Sequence, residues 1–208
     1  MSKDAYRRWA AWYDQLFEPM NGGLRKLGMK LYPPREGMKV LDVGCGTGIH
    51  LERYQKAGCE VYGIDPSGAM LEVAWPRLGA GAKLHQGSAT EMPYEDGQFD
   101  LAMCMLALHE MGPDIRAGVV KEMKRVVGDA GRILWIDFHT GPVSGIQGRL
   151  TQAFIYLSEL AAGREHFRNS RQYLRMGGLR SLIKEHALQI DKEVVVGGGN
   201  MALYVLRL

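Results

Sequence analysis

Long apolar runs are missing from this 208-residue chain. No stretch approaches the ~20 apolar residues that cross a bilayer as a helix, so no spanning segment is expected. The opening MSKDAYRRWAAWYDQLF scatters charges and aromatics and lacks the uninterrupted apolar core of a leader peptide. Cysteine is scarce. Cys45, Cys59 and Cys104 are odd in number and have no metal-like spacing, so reduced structural thiols, a cytoplasmic setting and no metal are expected. Strong charge of one sign is also lacking. A net charge of +3 is too small to argue for nucleic acid by itself. Repeats, low-complexity tracts and linker-like stretches are absent, so residues 1–208 are expected to form one domain. The 46% apolar and 24% charged content is that of an ordinary globular chain able to bury a core.

What is present begins with Val40-Leu41-Asp42-Val43-Gly44-Cys45-Gly46-Thr47-Gly48. A short apolar run ends in an acid, then three glycines alternate with other residues before a helix-like segment. Glycine leaves no side chain between backbone and ligand and reaches angles other residues avoid. The helix that follows aims unpaired N–H groups back at the ligand. A dinucleotide site wants G-x-G-x-x-G, but Ile49 stands where the third glycine of that pattern would fall. Cys59-Glu60-Val61-Tyr62-Gly63-Ile64-Asp65 reads as a second strand ending in an acid, suited to accept hydrogen bonds from both hydroxyls of a ribose. These features favour a nucleoside joined to an amino acid over a pyrophosphate.

Further along, strands and helices alternate. Strands are expected at about 38–43, 59–64, 82–86, 99–105 and 132–137, and helices at about 47–57, 67–77 and 113–127. Ser67 is a candidate N-cap. Alternation of this kind implies a parallel sheet with helices on both faces. Upstream, an aromatic-rich helix over 4–17, carrying Tyr6, Trp9, Tyr13 and Phe17, is expected to break at Asn21-Gly22-Gly23 before a second one at 23–31. Downstream, helices are expected over 143–162 and 165–186. Strand six (188–195) and strand seven (201–207) flank Gly197-Gly198-Gly199-Asn200, a hairpin turn.

VLDVGCGTG, VYGIDPS, QGSATEMPYEDGQFDLAMCMLALHEM and KEMKRVVGDAGRILWIDF, in that order, resemble the motifs of class I S-adenosylmethionine-dependent methyltransferases. The likeness covers roughly residues 36–138. Within that superfamily the chain looks most like the small-molecule and lipid branch that includes ubiquinone/menaquinone and phospholipid N-methyltransferases. It implies an α/β fold with a doubly wound, mostly parallel, seven-stranded Rossmann-like sheet, an antiparallel C-terminal hairpin and a helical N-terminal lid. The divisions are then a lid at 1–35, a cofactor-binding core at 36–138, a helical substrate cover at 139–187 and the hairpin at 188–208.

The resemblance implies S-adenosylmethionine as cofactor and S-adenosylhomocysteine as product. Gly44, Cys45, Gly46 and Gly48 would cradle the methionine part and Asp42 its amino group. Asp65 would hold the ribose. Pro66 and Ser67 would flank the adenine edge and Ala89 and Met92 supply apolar walls, with Met70 and Met105 also among the cofactor-binding residues. Tyr13 would approach the cofactor's carboxylate. The branch usually has Gly-Asp-Ala after strand three. Here Gly87-Ser88-Ala89 stands there, so Ser88 offers a hydroxyl without charge, and Thr90 or Glu91 is the alternative.

His109 falls at a position often histidine in this branch, where it is either a general base titrating near neutrality or a packing residue. His139, just past strand five, also falls on the ligand-binding edge. Glu110, His166, Arg168 and Tyr173 are the candidate acceptor-binding residues. The 141–184 segment carries seven Arg and Lys against only Glu159 and Glu165, which is either a solvated face or a cover for an acidic or phospholipid acceptor.

Displacement at a sulfonium needs alignment and exclusion of water, and a base only for some nucleophiles. The motifs therefore leave the acceptor open between a quinone or phenol and a phospholipid amine. No NPPY-like tetrad follows strand four and no Pro-Cys nucleophile is present, so nucleic acid is not an expected partner. A non-catalytic cofactor-binding homologue acting in a complex is the alternative, and an NAD-dependent oxidoreductase a weaker one. A monomer or homodimer with some peripheral membrane contact is expected.

Overall fold

A computed structural model describes residues 10–208, apart from the side chains of Ala11 and Tyr13. The expectations for Tyr6, Trp9 and the Tyr13 side chain therefore lie outside the described residues.

Seven short strands form the sheet. They are β1 (Lys39–Val43), β2 (Glu60–Asp65), β3 (Ala82–Gln86), β4 (Leu101–Met105), β5 (Arg132–Phe138), β6 (Gln189–Val196) and β7 (Met201–Arg207). The inner strands β1, β4 and β5 are almost wholly buried, as a doubly covered sheet requires. The helices are α1 (Ala10–Leu31), α2 (Ile49–Lys56), α3 (Gly68–Leu78), α4 (Pro113–Val127), α5 (Gly145–Ala161), α6 (Arg164–Met176) and α7 (Gly178–Glu185). The sheet order is β3-β2-β1-β4-β5-β7-β6. β1 to β5 pair in parallel, whereas β7 runs antiparallel to both β5 and β6. This is the expected doubly wound sheet with its antiparallel hairpin.

Alternation along each strand sends side chains to two faces. In β5, Ile133 and Trp135 join a core with α4 and α7 residues such as Val119, Met123 and Leu182. Leu134 and Ile136 face the other way, toward Leu51 and Tyr54 of α2, Leu71 and Leu78 of α3, and Leu24 and Leu27 of α1. Both cores are closed to solvent, with Trp135, Leu41 and Ile64 all fully buried.

Two expectations about helices are corrected, and both turn on a glycine pair. Asn21-Gly22-Gly23 does not break the first helix; α1 continues through it to Leu31. Packing offsets the weak helix propensity of glycine, which costs about 1 kcal/mol per residue. Gly28 brings α1 so close to β5 that a Cβ there would stand 3.1 Å from Leu134 and Ile136 methyls. Glu18 pairs with Arg25 of the same helix and with Arg53 of α2. At Gly177-Gly178 the reverse holds. Their φ values of +103° and +60° are left-handed, so the helix expected over 165–186 is two helices, α6 and α7. Among the described residues no helix is long and apolar enough to cross a membrane.

Candidate active site

Strand order reverses between β1 and β4, on either side of which the connections run to opposite ends of the sheet. Open α/β sheets bind ligands at the carboxyl ends of the strands at such a point. A cavity of about 270 Å³ lies there. Its floor is the turn after β1, where Gly44, Gly46 and Gly48 all take positive φ. The Gly44 and Cys45 N–H groups donate to the Ile64 carbonyl at 2.8 and 3.2 Å, which lays the turn across the end of β2.

Asp65, at that strand end, braces the same turn. One carboxylate oxygen accepts the Gly46 N–H at 2.8 Å, and the other accepts the Ser67 N–H at 2.8 Å. Each oxygen has further lone pairs for a ligand. Asp42, near the end of β1, is buried. Burial, opposed by Arg25 and assisted by Asp65, pushes its carboxyl up to about 8. Its Oδ1 is buried without a hydrogen-bond partner and the residue lines the cavity. That orphaned acceptor suits a cationic amino group. It is the observation by which these residues fit the expected cofactor.

Asp42, Gly44, Cys45, Gly46, Asp65, Pro66, Met70, Met105 and Glu110 all line the cavity. Other residues named from the sequence stand elsewhere. A Cβ at Gly48 would meet Leu78 Cδ1 at 2.8 Å, so this glycine lets α2 close on α3. Ser67 caps α3, its hydroxyl accepting the Met70 N–H at 3.1 Å. Ser88 and Thr90 share a 2.8 Å hydrogen bond in the loop past β3, and Ala89 packs partly buried against the core there. Tyr173 is a core residue. Its hydroxyl donates to the Phe138 carbonyl and its ring lies 5.0 Å from the Arg116 guanidinium. Arg168 is exposed on α6 with Glu165 at 3.8 Å. His139 follows β5, where its N–H donates to the Asn200 carbonyl at 2.8 Å. Partial burial and nearby Arg180 lower its pKa.

His109 also stands outside the cavity wall, immediately behind Glu110. Its Nδ1 lies 2.6 Å from Asp137 Oδ1, and its ring stacks at 4.2 Å on Phe138. Burial alone would drive this imidazole toward neutrality. The Asp137 carboxylate, with Glu159 and Glu110, overrides it and pushes the pKa well above the ordinary value. The expectation of titration near neutrality is thereby corrected. The loop carrying it is held by Arg116, which donates to the carbonyls of Leu108 and Met111 at 2.8 and 2.6 Å. Leu106 enters that loop with φ +54°, a conformation that costs a non-glycine residue about 1–3 kcal/mol and clusters at functional sites.

Several lining residues escaped sequence reasoning. Asn21 and Arg25 come from α1 and His50 from α2. Asn21 and Arg25 are four apart, on one face of a helix, which is the signal that could have found them. Both His50 ring nitrogens are buried without a hydrogen-bond partner, and burial with Arg25 and Arg53 nearby lowers its pKa to about 3. Thr47 ties the turn to α1 by donating to Asp14 at 2.6 Å, and Asp14 is also paired with Arg77 at 2.5 Å.

Residues 41–135 match the family described as "Methyltransferase domain". A demethylmenaquinone methyltransferase of Staphylococcus aureus (strain MRSA252) is 39% identical over 118 residues, covering 54% of this chain and 48% of the relative. One from Corynebacterium kroppenstedtii is 33% identical over 132 residues, covering 62% of this chain and 56% of the relative. The chain thus spans about half the length of the curated relatives it matches. Among solved structures, a SAM-dependent methyltransferase from Aquifex aeolicus superposes with a TM-score of 0.67 at 19% identity, covering 96% of this chain and 98% of that one. Another, from Mesorhizobium loti, gives a TM-score of 0.64 at 14% identity over 88% and 96% of the two chains. With the β1 turn and its two acids set at the switch of a seven-stranded sheet, the chain has the fold of these S-adenosylmethionine-dependent methyltransferase structures, and its stretch from 41 to 135 is similar to the methyltransferase domain family.

Proposed function

We propose that this protein transfers a methyl group from S-adenosylmethionine to a lipid-like acceptor of the quinone or phenol class. The observation that carries this reading is the pair of acids at the cavity, Asp65 at the end of β2 and Asp42 with its buried, unpartnered oxygen. The relatives bear on the acceptor, since those matched over 118 and 132 residues are named for demethylmenaquinone.

S-adenosylmethionine, when bound, supplies a methyl group already activated on a sulfonium. The chain must hold, align and dehydrate. In this reading Gly44 and Gly46 present backbone to the methionine part, Asp42 and Arg25 meet its amino and carboxylate groups, and Asp65 takes the ribose hydroxyls. Pro66, Met70 and Met105 give the adenine and methyl region apolar walls. A phenolic or ring-carbon nucleophile gives up one proton when its new bond to carbon forms. Glu110 lines the cavity and is the proton acceptor we assign, with His109 Nε2 at 4.0 Å and His166 Nδ1 at 3.8 Å behind it. His139 is a second candidate for that proton.

Two surfaces support a lipid-like acceptor. Helix α5 exposes Ile146, Leu150, Phe154, Leu157 and Leu160, spaced to form one stripe. Helix α6 exposes Arg164, Arg168 and Arg175. The arginines favour the second reading, a phospholipid amine reached at an anionic membrane surface. Titration calorimetry with S-adenosylmethionine, S-adenosylhomocysteine and NAD tests the cofactor. Micromolar binding of the sulfur nucleosides and none of NAD is expected. Labelled-methyl assays with a demethylated quinol and with phosphatidylethanolamine, each in liposomes, then separate the acceptors. Cofactor binding with no transfer to any acceptor would favour a non-catalytic homologue.

A further inference from the structure

Behind the cavity, four elements bring titratable side chains to one point. His109 comes from the loop after β4, Asp137 from β5, Glu159 from the last turns of α5 and His166 from the first turn of α6. His109 Nε2 is 3.5 Å from Glu159 Oε1, and His166 Nε2 is 2.9 Å from Glu159 Oε2. One donor atom from each of His109, Glu159 and His166 falls within a sphere where no two are more than 4.8 Å apart. Ligands ~2 Å from a zinc ion at tetrahedral angles stand about 3.3 Å from one another.

Glu159 Oε2 and His166 Nε2 stand 2.9 Å apart as an ion pair, and a cation seated among the three side chains would take the place of that contact. The carboxylates of Asp137, Glu159 and Glu110 all face the two imidazoles, a donor set of the kind that surrounds a divalent ion. The outer support of a metal site is also in place. Asp137 grips His109 Nδ1 at 2.6 Å, which turns Nε2 toward the cluster, as carboxylate–histidine–metal arrangements do. Asn169 holds the Glu110 backbone by donating to its carbonyl at 2.8 Å.

We propose that His109, Glu159 and His166 form a binding site for one first-row divalent transition ion, zinc above all. Two imidazoles and one carboxylate suit such an ion. Three protein ligands leave a coordination position open, and Glu110, between the cluster and the cavity, stands beside it. The ion would clamp α5 and α6 to the β4–β5 edge next to the acceptor. This inference does not depend on which acceptor is used, or on whether methyl transfer occurs.

The test is direct. The full-length protein is stripped with chelator and titrated calorimetrically with zinc chloride, then with manganese and, anaerobically, iron(II). One equivalent of an ion bound per chain is expected, with at least tenfold weaker binding in Glu159→Gln and His166→Gln and unchanged binding in His85→Ala, an exposed histidine remote from the cluster. Far-UV circular dichroism and thermal unfolding show which variants are folded. Should the variants fail to fold, X-ray absorption at the zinc edge of the unmutated protein decides, since two imidazoles and no sulfur are expected. Absence of stoichiometric binding, equal binding by folded Glu159→Gln, or sulfur ligation would overturn the proposal.

Discussion

Asp42 illustrates how one side chain can be tuned for a ligand by being made uncomfortable without it. Burial, with Asp65 nearby and Arg25 in partial opposition, raises its pKa to about 8. An acid with a raised folded pKa is protonated in the fold where the unfolded chain would ionise it. Stability is therefore lost progressively as pH rises from about 4 to about 8. A cationic amino group bound beside Asp42 returns it to the carboxylate. At pH 7 S-adenosylmethionine binding is then expected to release a proton, visible as a dependence of calorimetric heat on the buffer's ionisation enthalpy. Asp42→Asn should bind at least tenfold more weakly and lose that dependence. A heat independent of buffer in the unmutated protein would contradict the assignment. Asp65→Ala is expected to abolish cofactor binding, and it removes the acceptors of the Gly46 and Ser67 N–H groups as well. A loss of about 1–3 kcal/mol in urea-unfolding stability should accompany it; unchanged calorimetric affinity would sink the ribose role.

Among elements, the strands and the cofactor loop were legible because their signals are local. An apolar run ended by an acid, three alternating glycines and a second strand with its own acid need no distant partner to be read. β3, α4 and β7 have the same character. The two glycine pairs show where local reading ends. At 22–23 the packing of α1 on β5 and its ion pairs with α2 keep the helix whole, whereas at 177–178 positive φ divides it. Nothing inside either stretch carries that difference. The cavity divides in the same way. Asp42 and Asp65 were found, while Asn21, Arg25 and His50 arrive from helices that meet the loop only in the folded chain. Glu159 and His166 sit on either side of a helix joint; His166 was named from the sequence, but nothing local pairs it with Glu159 or His109. At this scale a close strand contact gives a firm expectation. A Cβ at Gly63 in β2 would stand 2.8 Å from both Cys45 Sγ and Leu84 Cδ2 and 2.9 Å from Leu51 Cδ1. Gly63→Ala should cost about 1–3 kcal/mol by thermal or urea unfolding. A stability equal to the unmutated protein would mean that the loop and strand yield freely.

At the scale of the whole molecule, the exposed stripe on α5 has, under the proposed function, a part in delivering the acceptor and none in its reaction. Replacing Leu150, Phe154 and Leu157 together with glutamine should lower transfer to a liposome-embedded quinol by tenfold or more. Transfer to a short-chain, water-soluble analogue should stay within about twofold, because surface changes away from buried contacts usually cost little stability. Equal loss with both acceptors would assign the stripe to the fold and not to lipid. The sheet order has a consequence of another kind, for synthesis. β7 lies between β5 and β6, although both are made before it. While a nascent chain is being extended, the β5 edge waits without its neighbour until Met201–Arg207 follow. An unpaired apolar edge invites pairing with other chains, so the last-inserted strand sets the interval during which the β5 edge is open to such pairing.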